Sequence, residues 1–272
     1  MTVVDTHTHL QEPEFIDDID AVIERARSAG VEAILTLGTD VASSERAVAL
    51  ADRFDLVWAA VGVHPHDARS FDDRALARLR ELARHPKVVA VGEIGLDFYR
   101  NLSPREDQVR AFRAQLEWAA EAGLPVAIHA REAHDAVESI VSEWAQRFEG
   151  ALPDGRPLGV MHYFSGDVDL ARRYAGLGFL ISVHTSVTYP RADRLREVAR
   201  ALPLDRLVVE TDAPYGAPQA HRGERNEPAY VVEAVLRVAE VRGVPVQEVE
   251  RATTVAAERL LGLAQRAGRG IS

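Results

Sequence analysis

The sequence predicts an α/β protein folded as a single-domain (β/α)8 barrel, the TIM-barrel architecture. Three observations carry that expectation. Eight short β-branched apolar runs alternate with segments of helical spacing, an order that implies a parallel sheet covered by its crossover helices. The length of 272 residues suits one such barrel. The first run, Val3-Val4-Asp5, leads into Thr6-His7-Thr8-His9-Leu10 and not into a Gly-rich turn, so the phosphate loop that an open doubly wound sheet sets after its first strand is missing.

The eight runs lie at residues 3–5, 32–37, 56–61, 88–92, 125–128, 158–161, 179–183 and 206–209. Helical spacing occupies 15–28, 44–54, 73–84, 104–122 and 133–148. Ser103-Pro104-Arg105-Glu106 reads as an N-cap, a proline at the first helical position and a glutamate placed to bond back. Gly30, Gly123 and Gly178 sit where helices should stop. No low-complexity tract or long linker divides the chain, so residues 1–265 are expected as one barrel, with a tail at 266–272.

Composition narrows the chemistry. With no Cys, disulfides, thiolate metal sites and thiol nucleophiles are excluded. The one lysine, Lys87, follows His85-Pro86 at a strand entry, which makes a Schiff base or a lysine bridge between metals improbable. The longest apolar stretch, 56–63, is too short to span a membrane, and the N-terminus lacks the pattern of a secretory signal, so the expected location is cytoplasmic. A formal charge of −10 argues against broad duplex binding, but not against a phosphate held through divalent cations.

A barrel carries its working residues at the C-terminal strand ends, and polar residues gather there. His7 and His9 alternate, so they point the same way and can converge on one ion; Asp5 is expected to orient them. His64 ends the third run and His66 follows in the loop, with a substrate contact and plain rim packing equally open for His64. Glu93 follows an apolar run, where a carboxylate is costly unless paired or bound to metal, and it can give one oxygen to each of two ions. Asp97 reads as a loop cap or a partner of Arg100. His129 and His162 each follow an apolar run, and the last run ends in Glu210-Thr211-Asp212. Asp212, nearer the mouth, is the better ligand or base, with Glu210 steadying a neighbour from below. Four histidines and two carboxylates exceed what one tetrahedral ion needs and suit a pair of ions. His85 and His134 are expected on the surface; His184 and His221 stay unassigned.

These residues fall in seven segments. They are Thr6-His7-Thr8-His9-Leu10, Val63-His64-Pro65-His66, Gly92-Glu93-Ile94-Gly95-Leu96-Asp97 and Ile128-His129-Ala130-Arg131-Glu132-Ala133, then His162-Tyr163-Phe164-Ser165-Gly166, Glu210-Thr211-Asp212-Ala213-Pro214-Tyr215 and Arg222-Gly223-Glu224-Arg225-Asn226-Glu227-Pro228. From residue 3 to about residue 263 the chain resembles the TatD family of metal-dependent deoxyribonucleases. The resemblance implies a barrel, two divalent ions (Mg, Mn or Zn) and hydrolysis of phosphodiester bonds in DNA or at single-stranded nucleic-acid ends, often from the 3′ end. It implies one metal site of His7, His9, Glu93 and Asp212 and another of Glu93, His129 and His162, bridged by Glu93. Asp212 is expected to orient the attacking water and take its proton, with Glu93 as the second catalytic group.

The same motifs place Arg131, Arg225 and Asn226 near the mouth as substrate contacts, the alternative for Arg131 being an ion pair with Glu210. Tyr163 and Tyr215 are expected to stack a terminal base or to pack their loops. Two positions depart from the family pattern: Gly216, where a Leu is usual, should loosen the mouth, and Ala256, where an Asn is common, should have a local effect on stability. Because similar barrels cleave esters and amides, an aminoacyl ester or a lactone remains the alternative substrate.

Overall fold

The computed structural model describes residues 1–263; the expected division at 265/266 lies outside them. One sheet holds eight parallel strands in chain order: β1 (Val3–Thr8), β2 (Val31–Leu37), β3 (Val57–Val61), β4 (Val88–Asp97), β5 (Val126–Arg131), β6 (Gly159–Met161), β7 (Phe179–His184) and β8 (Leu207–Glu210). Helices α1 (Ile19–Ser28), α2 (Val41–Arg53), α3 (Asp73–Leu82), α4 (Arg105–Ala122), α5 (His134–Ala145), α6 (Val168–Gly176) and α7 (Asp193–Ala201) connect them, and α8 (Val231–Arg242) and α9 (Val246–Leu261) follow β8. All eight apolar runs are strands, and the fold is a (β/α)8 barrel.

The ring closes between β8 and β1. Thr8 pairs with Ala213, His9 N donates to Ala213 O at 2.7 Å, Asp212 N donates to His7 O at 2.9 Å, and Thr6 Oγ1 donates to Val209 O at 3.0 Å. Inside, Val4, Leu35, Ala127, Val160 and Val208 form an apolar floor that α9 plugs with Ala256, Leu260 and Leu261. Burial of a leucine there stabilises by about 1.5–3 kcal/mol. Ala256 is buried in this apolar cluster.

Three strands outrun their apolar signal by three residues or more. β1 continues to Thr8, β4 to Asp97 and β5 to Arg131, so His7, Glu93 and His129 stand within strands and not after them. The ladder persists because Gly95 pairs with His129 and Asp97 with Arg131. At Gly95 φ is +141° and a Cβ would fall 2.0 Å from His129 O, so only glycine lets β4 and β5 run together here.

The helices begin differently from the sequence expectation. A 3-10 turn, Pro13–Phe15, precedes α1, and α2 starts at Val41 because Asp40 and Ser43 form a reciprocal capping box. Pro104, not Ser103, occupies the cap of α4. The Ser103 hydroxyl instead donates to His66 O at 2.7 Å and accepts from Arg69 N at 3.1 Å, tying down the loop after β3. No helix among the described residues is long and apolar enough to cross a membrane.

Candidate metal centre

The mouth of the barrel holds a cavity of about 780 Å³, with His9, His64, Glu93, His129, His162 and Asp212 in its walls and Arg100, Arg131, Tyr163 and Tyr215 around them. His7 and His9 share a face, as strand alternation requires, with their Nε2 atoms 3.3 Å apart. Glu93 Oε2 lies 3.5 Å from each of these atoms, and Asp212 Oδ1 lies 3.9 and 3.6 Å from them. Ligands at ~2.0–2.1 Å from a tetrahedral ion stand about 3.4 Å from one another, so these separations fit one cation. The other glutamate oxygen, Oε1, faces His129 Nδ1 at 2.8 Å, His64 Nε2 at 3.5 Å and His162 Nε2 at 3.7 Å.

The donor atoms fall into three overlapping groups, each within 4.8 Å: His7, Glu93 and His162; His7, His9 and Asp212; His64, Glu93 and His129. Buried imidazoles and carboxylates with their donor atoms converged in this way fit divalent cations. The grouping differs from the expected one in two respects. His64, open from sequence between a substrate contact and rim packing, joins Glu93 and His129, and His162 falls with His7.

Burial and mutual charge set the electrostatics. Glu93 is held well below the usual carboxylate range despite its burial, because His64, His162 and His129 surround it. Burial drives Asp212 well above that range, with His9 opposing and Glu93 adding to the rise. Burial pulls His7 and His162 down to about 3, and their rings stack at 3.3 Å. For His9 and His129 burial is outweighed, by Glu93 at His9 and by Asp97 and Glu93 at His129, and both rise to about 9. A divalent cation would be the largest charge in such a cluster and would reverse the shift at Asp212.

Several of these side chains are held from behind, whereas the buried His7 Nδ1 has no hydrogen-bond partner among the described residues. His9 Nδ1 meets Leu37 O at 3.0 Å, and His162 Nδ1 lies 3.0 Å from Glu210 Oε1. Glu210 also accepts from Tyr163 N at 2.8 Å, so it steadies β6 from below and makes no pair with Arg131. Asp5 accepts from Thr211 N at 3.0 Å and Thr211 Oγ1 at 2.6 Å. It therefore orients the turn at the end of β8, where Asp212 sits at φ +63°, a left-handed conformation that needs such support.

Asp97 does more than cap its loop. Oδ1 accepts from Tyr99 N and Arg100 N, while Oδ2 lies 3.2 Å from His129 Nε2 and 2.9 Å from His66 Nε2. Nothing in the sequence pattern marked this role: it follows from the strand continuing past Gly95, which sets Glu93 and Asp97 on one face.

Two expected substrate contacts are not brought to the cavity. Arg225 pairs with Asp18 at 2.7 Å and Glu227 at 2.8 Å and covers the Phe15 ring. Asn226 is fully buried and donates to Thr211 O at 2.9 Å and Tyr215 O at 2.6 Å. Both polar groups fasten the loop after β8, because their donors already have acceptors within the fold. Tyr163 lines the cavity with one ring face covered by His184 at 3.7 Å. Gly216 leaves room for it: a Cβ there would stand 3.1 Å from the Tyr163 hydroxyl.

Outside the cluster, His134 bonds Ser165, His221 stacks on Tyr230 between Glu224 and Glu233, and His85 lies 3.5 Å from Asp52. Lys87 reaches Asp55 O and the Trp58 ring.

The sequence model of the TatD related DNase family matches residues 4–262. The chain is 39% identical to an uncharacterized metal-dependent hydrolase, YabD, of Bacillus subtilis (strain 168), across 94% of this chain and 97% of that protein. It is 38% identical to the 3'-5' ssDNA/RNA exonuclease TatD of Klebsiella pneumoniae (strain 342), across 95% and 97%. Among solved structures, YJJV, a TatD homolog from Escherichia coli K12, superposes with a TM-score of 0.88 at 34% identity, covering 96% of this chain and 98% of that one.

Proposed function

The chain belongs to the TatD related DNase family, and from that membership we propose that it is a metal-dependent hydrolase that removes nucleotides from the 3′ end of single-stranded DNA or RNA. The observation that supports this most directly is Glu93, which turns one oxygen to His7 and His9 and the other to His64, His129 and His162. Similarity to a named 3'-5' ssDNA/RNA exonuclease over nearly the whole chain supports the bond and the polarity.

In this reading His7, His9 and Asp212 would hold one ion and His129 and His162, with His64 beside them, the other, Glu93 offering an oxygen to each. Bound Mg, Mn or Zn supplies Lewis acidity, which brings the pKa of water toward ~7 and offsets charge on phosphoryl oxygens. Asp212 faces the histidines through Oδ1, and its second oxygen orients the attacking water and takes its proton. Arg100 and Arg131 bring positive charge to an acidic mouth and hold the substrate phosphate. Only a few phosphates are contacted, so the salt dependence is shallow.

A metal-by-substrate matrix on metal-stripped protein tests the reading. Single strands labelled at either end, duplexes, an aminoacyl ester, a lactone and an amide are each offered with Mg, Mn or Zn, and His129→Ala serves as control. Release of the 3′ label first, dependent on metal and lost in His129→Ala, is the expected result. Metal-restored cleavage of an ester or amide with the oligonucleotides left intact would overturn it in favour of that bond.

A further inference from the structure

Resting on the nucleic-acid reading above, we infer that Tyr99 and Arg131 form a base platform for the penultimate nucleotide, across the mouth from Tyr215, which takes the terminal one. Tyr99 is 58% exposed although its loop is pinned, its backbone N–H donating to Asp97 Oδ1 at 3.0 Å. The guanidinium of Arg131 lies 4.0 Å above the centre of its ring. The strand ladder fixes this pair, since Asp97 is registered with Arg131 and Phe98 N donates to Arg131 O at 2.9 Å.

Neither Arg131 nor Arg100 forms a salt bridge with a carboxylate among the described residues, and both line the cavity. Tyr215, 53% exposed, stands with its ring centre 6.2 Å from that of His9. In a ring of eight strands, β4 and β5 lie opposite β8 and β1, so the two exposed aromatics flank the histidine and carboxylate cluster on opposite arcs. A strand laid across the mouth with its scissile phosphate over the cluster meets one ring on either side. Stacking on such rings tolerates any base, and an arginine beside the ring adds cation–π and phosphate contacts.

The test compares wild type, Tyr99→Ala and Tyr99→Trp, all loaded with metal, on three substrates: a single-stranded oligonucleotide, the same strand with an abasic penultimate residue, and bis(4-nitrophenyl) phosphate, which has no base. Tyr99→Ala is expected to raise KM for the oligonucleotide about tenfold with little change in kcat, so that kcat/KM for the oligonucleotide relative to the small diester falls by that factor. The abasic strand should cost the wild type a similar factor and Tyr99→Ala less than about twofold more, while Tyr99→Trp restores the oligonucleotide KM. An unchanged KM, equal losses on all three substrates, or no rescue by tryptophan overturns the platform and leaves the exonuclease reading standing. A wild type that hydrolyses the small diester and no oligonucleotide overturns both.

Discussion

Asp97 holds His129 by its Nε2, at 3.2 Å, and in doing so turns the opposite ring nitrogen toward Glu93 Oε1, 2.8 Å away. Buried carboxylates behind a ligating imidazole fix its tautomer and raise its basicity, and removing them costs about 10–100-fold in metal affinity or activity. Asp97→Asn is therefore expected to weaken metal binding within that range while the loop caps to Tyr99 and Arg100 persist. Metal titration of stripped protein, followed by activity, checks it; an affinity equal to that of wild type would reduce Asp97 to a loop cap.

Asp5 accepts three hydrogen bonds from β1 and from the turn after β8 without reaching the cavity itself. Asp5→Ala leaves buried donors unpaired, at about 1–3 kcal/mol for each group. We expect a stability loss of about 3 kcal/mol in denaturant titration, together with a fall in kcat as Asp212 leaves its left-handed conformation. A destabilised protein with undiminished kcat would separate Asp5 from the placement of Asp212.

Chelation should abolish hydrolysis and also soften the fold. A ligand present at about 100 times its Kd stabilises by about 2.7 kcal/mol, which corresponds to roughly 5 °C in Tm for a chain of this size. Thermal melts with and without added Mn read this directly. Identical melting curves would show that cations contribute nothing to the folded state.

The Arg225 cluster yields a pH prediction. Hydrogen bonds from Arg225, helped by Arg25, hold Asp18 at about 2, and Glu227 is lowered by Arg25 and Arg225 against its burial. A depressed carboxylate stabilises the fold above its unfolded pKa, and that contribution disappears as pH falls through the folded value. Arg225→Gln should then cost up to about 1 kcal/mol at pH 7, the pairs being partly exposed and screened, and clearly less near pH 2, where Asp18 is about half protonated in the fold. Chemical denaturation at the two pH values checks the sign; a larger deficit at the acid end would contradict it.

What the sequence made legible was whatever leaves a period or a run. The eight apolar segments located the strands, and the polar residues immediately beyond them, His7, His9, Glu93, His129, His162 and Asp212, are found converged together with His64. Two things left no such trace. The ladder goes on after the apolar pattern stops, because Gly95 allows close approach at a position that periodicity does not see, and this concealed the role of Asp97. The motif also misled: Arg225 and Asn226, set at the mouth by the resemblance, lie in a loop that folds back so that they bond to Asp18, Glu227 and the backbone of Thr211 and Tyr215. A donor's partners depend on tertiary position, and single-sequence spacing carries no record of them.

The closure of the barrel has its own consequence. The backbone bonds that join the last strand to the first are made by His7, His9, Asp212 and Ala213, so the seam of the ring carries three residues of the histidine and carboxylate cluster. Any fluctuation that parts the seam separates His9 from Asp212 in the same event. Amide hydrogen exchange at His9 and Asp212 would then count how often the site takes itself apart, and a cation clasped across the seam would slow both amides together.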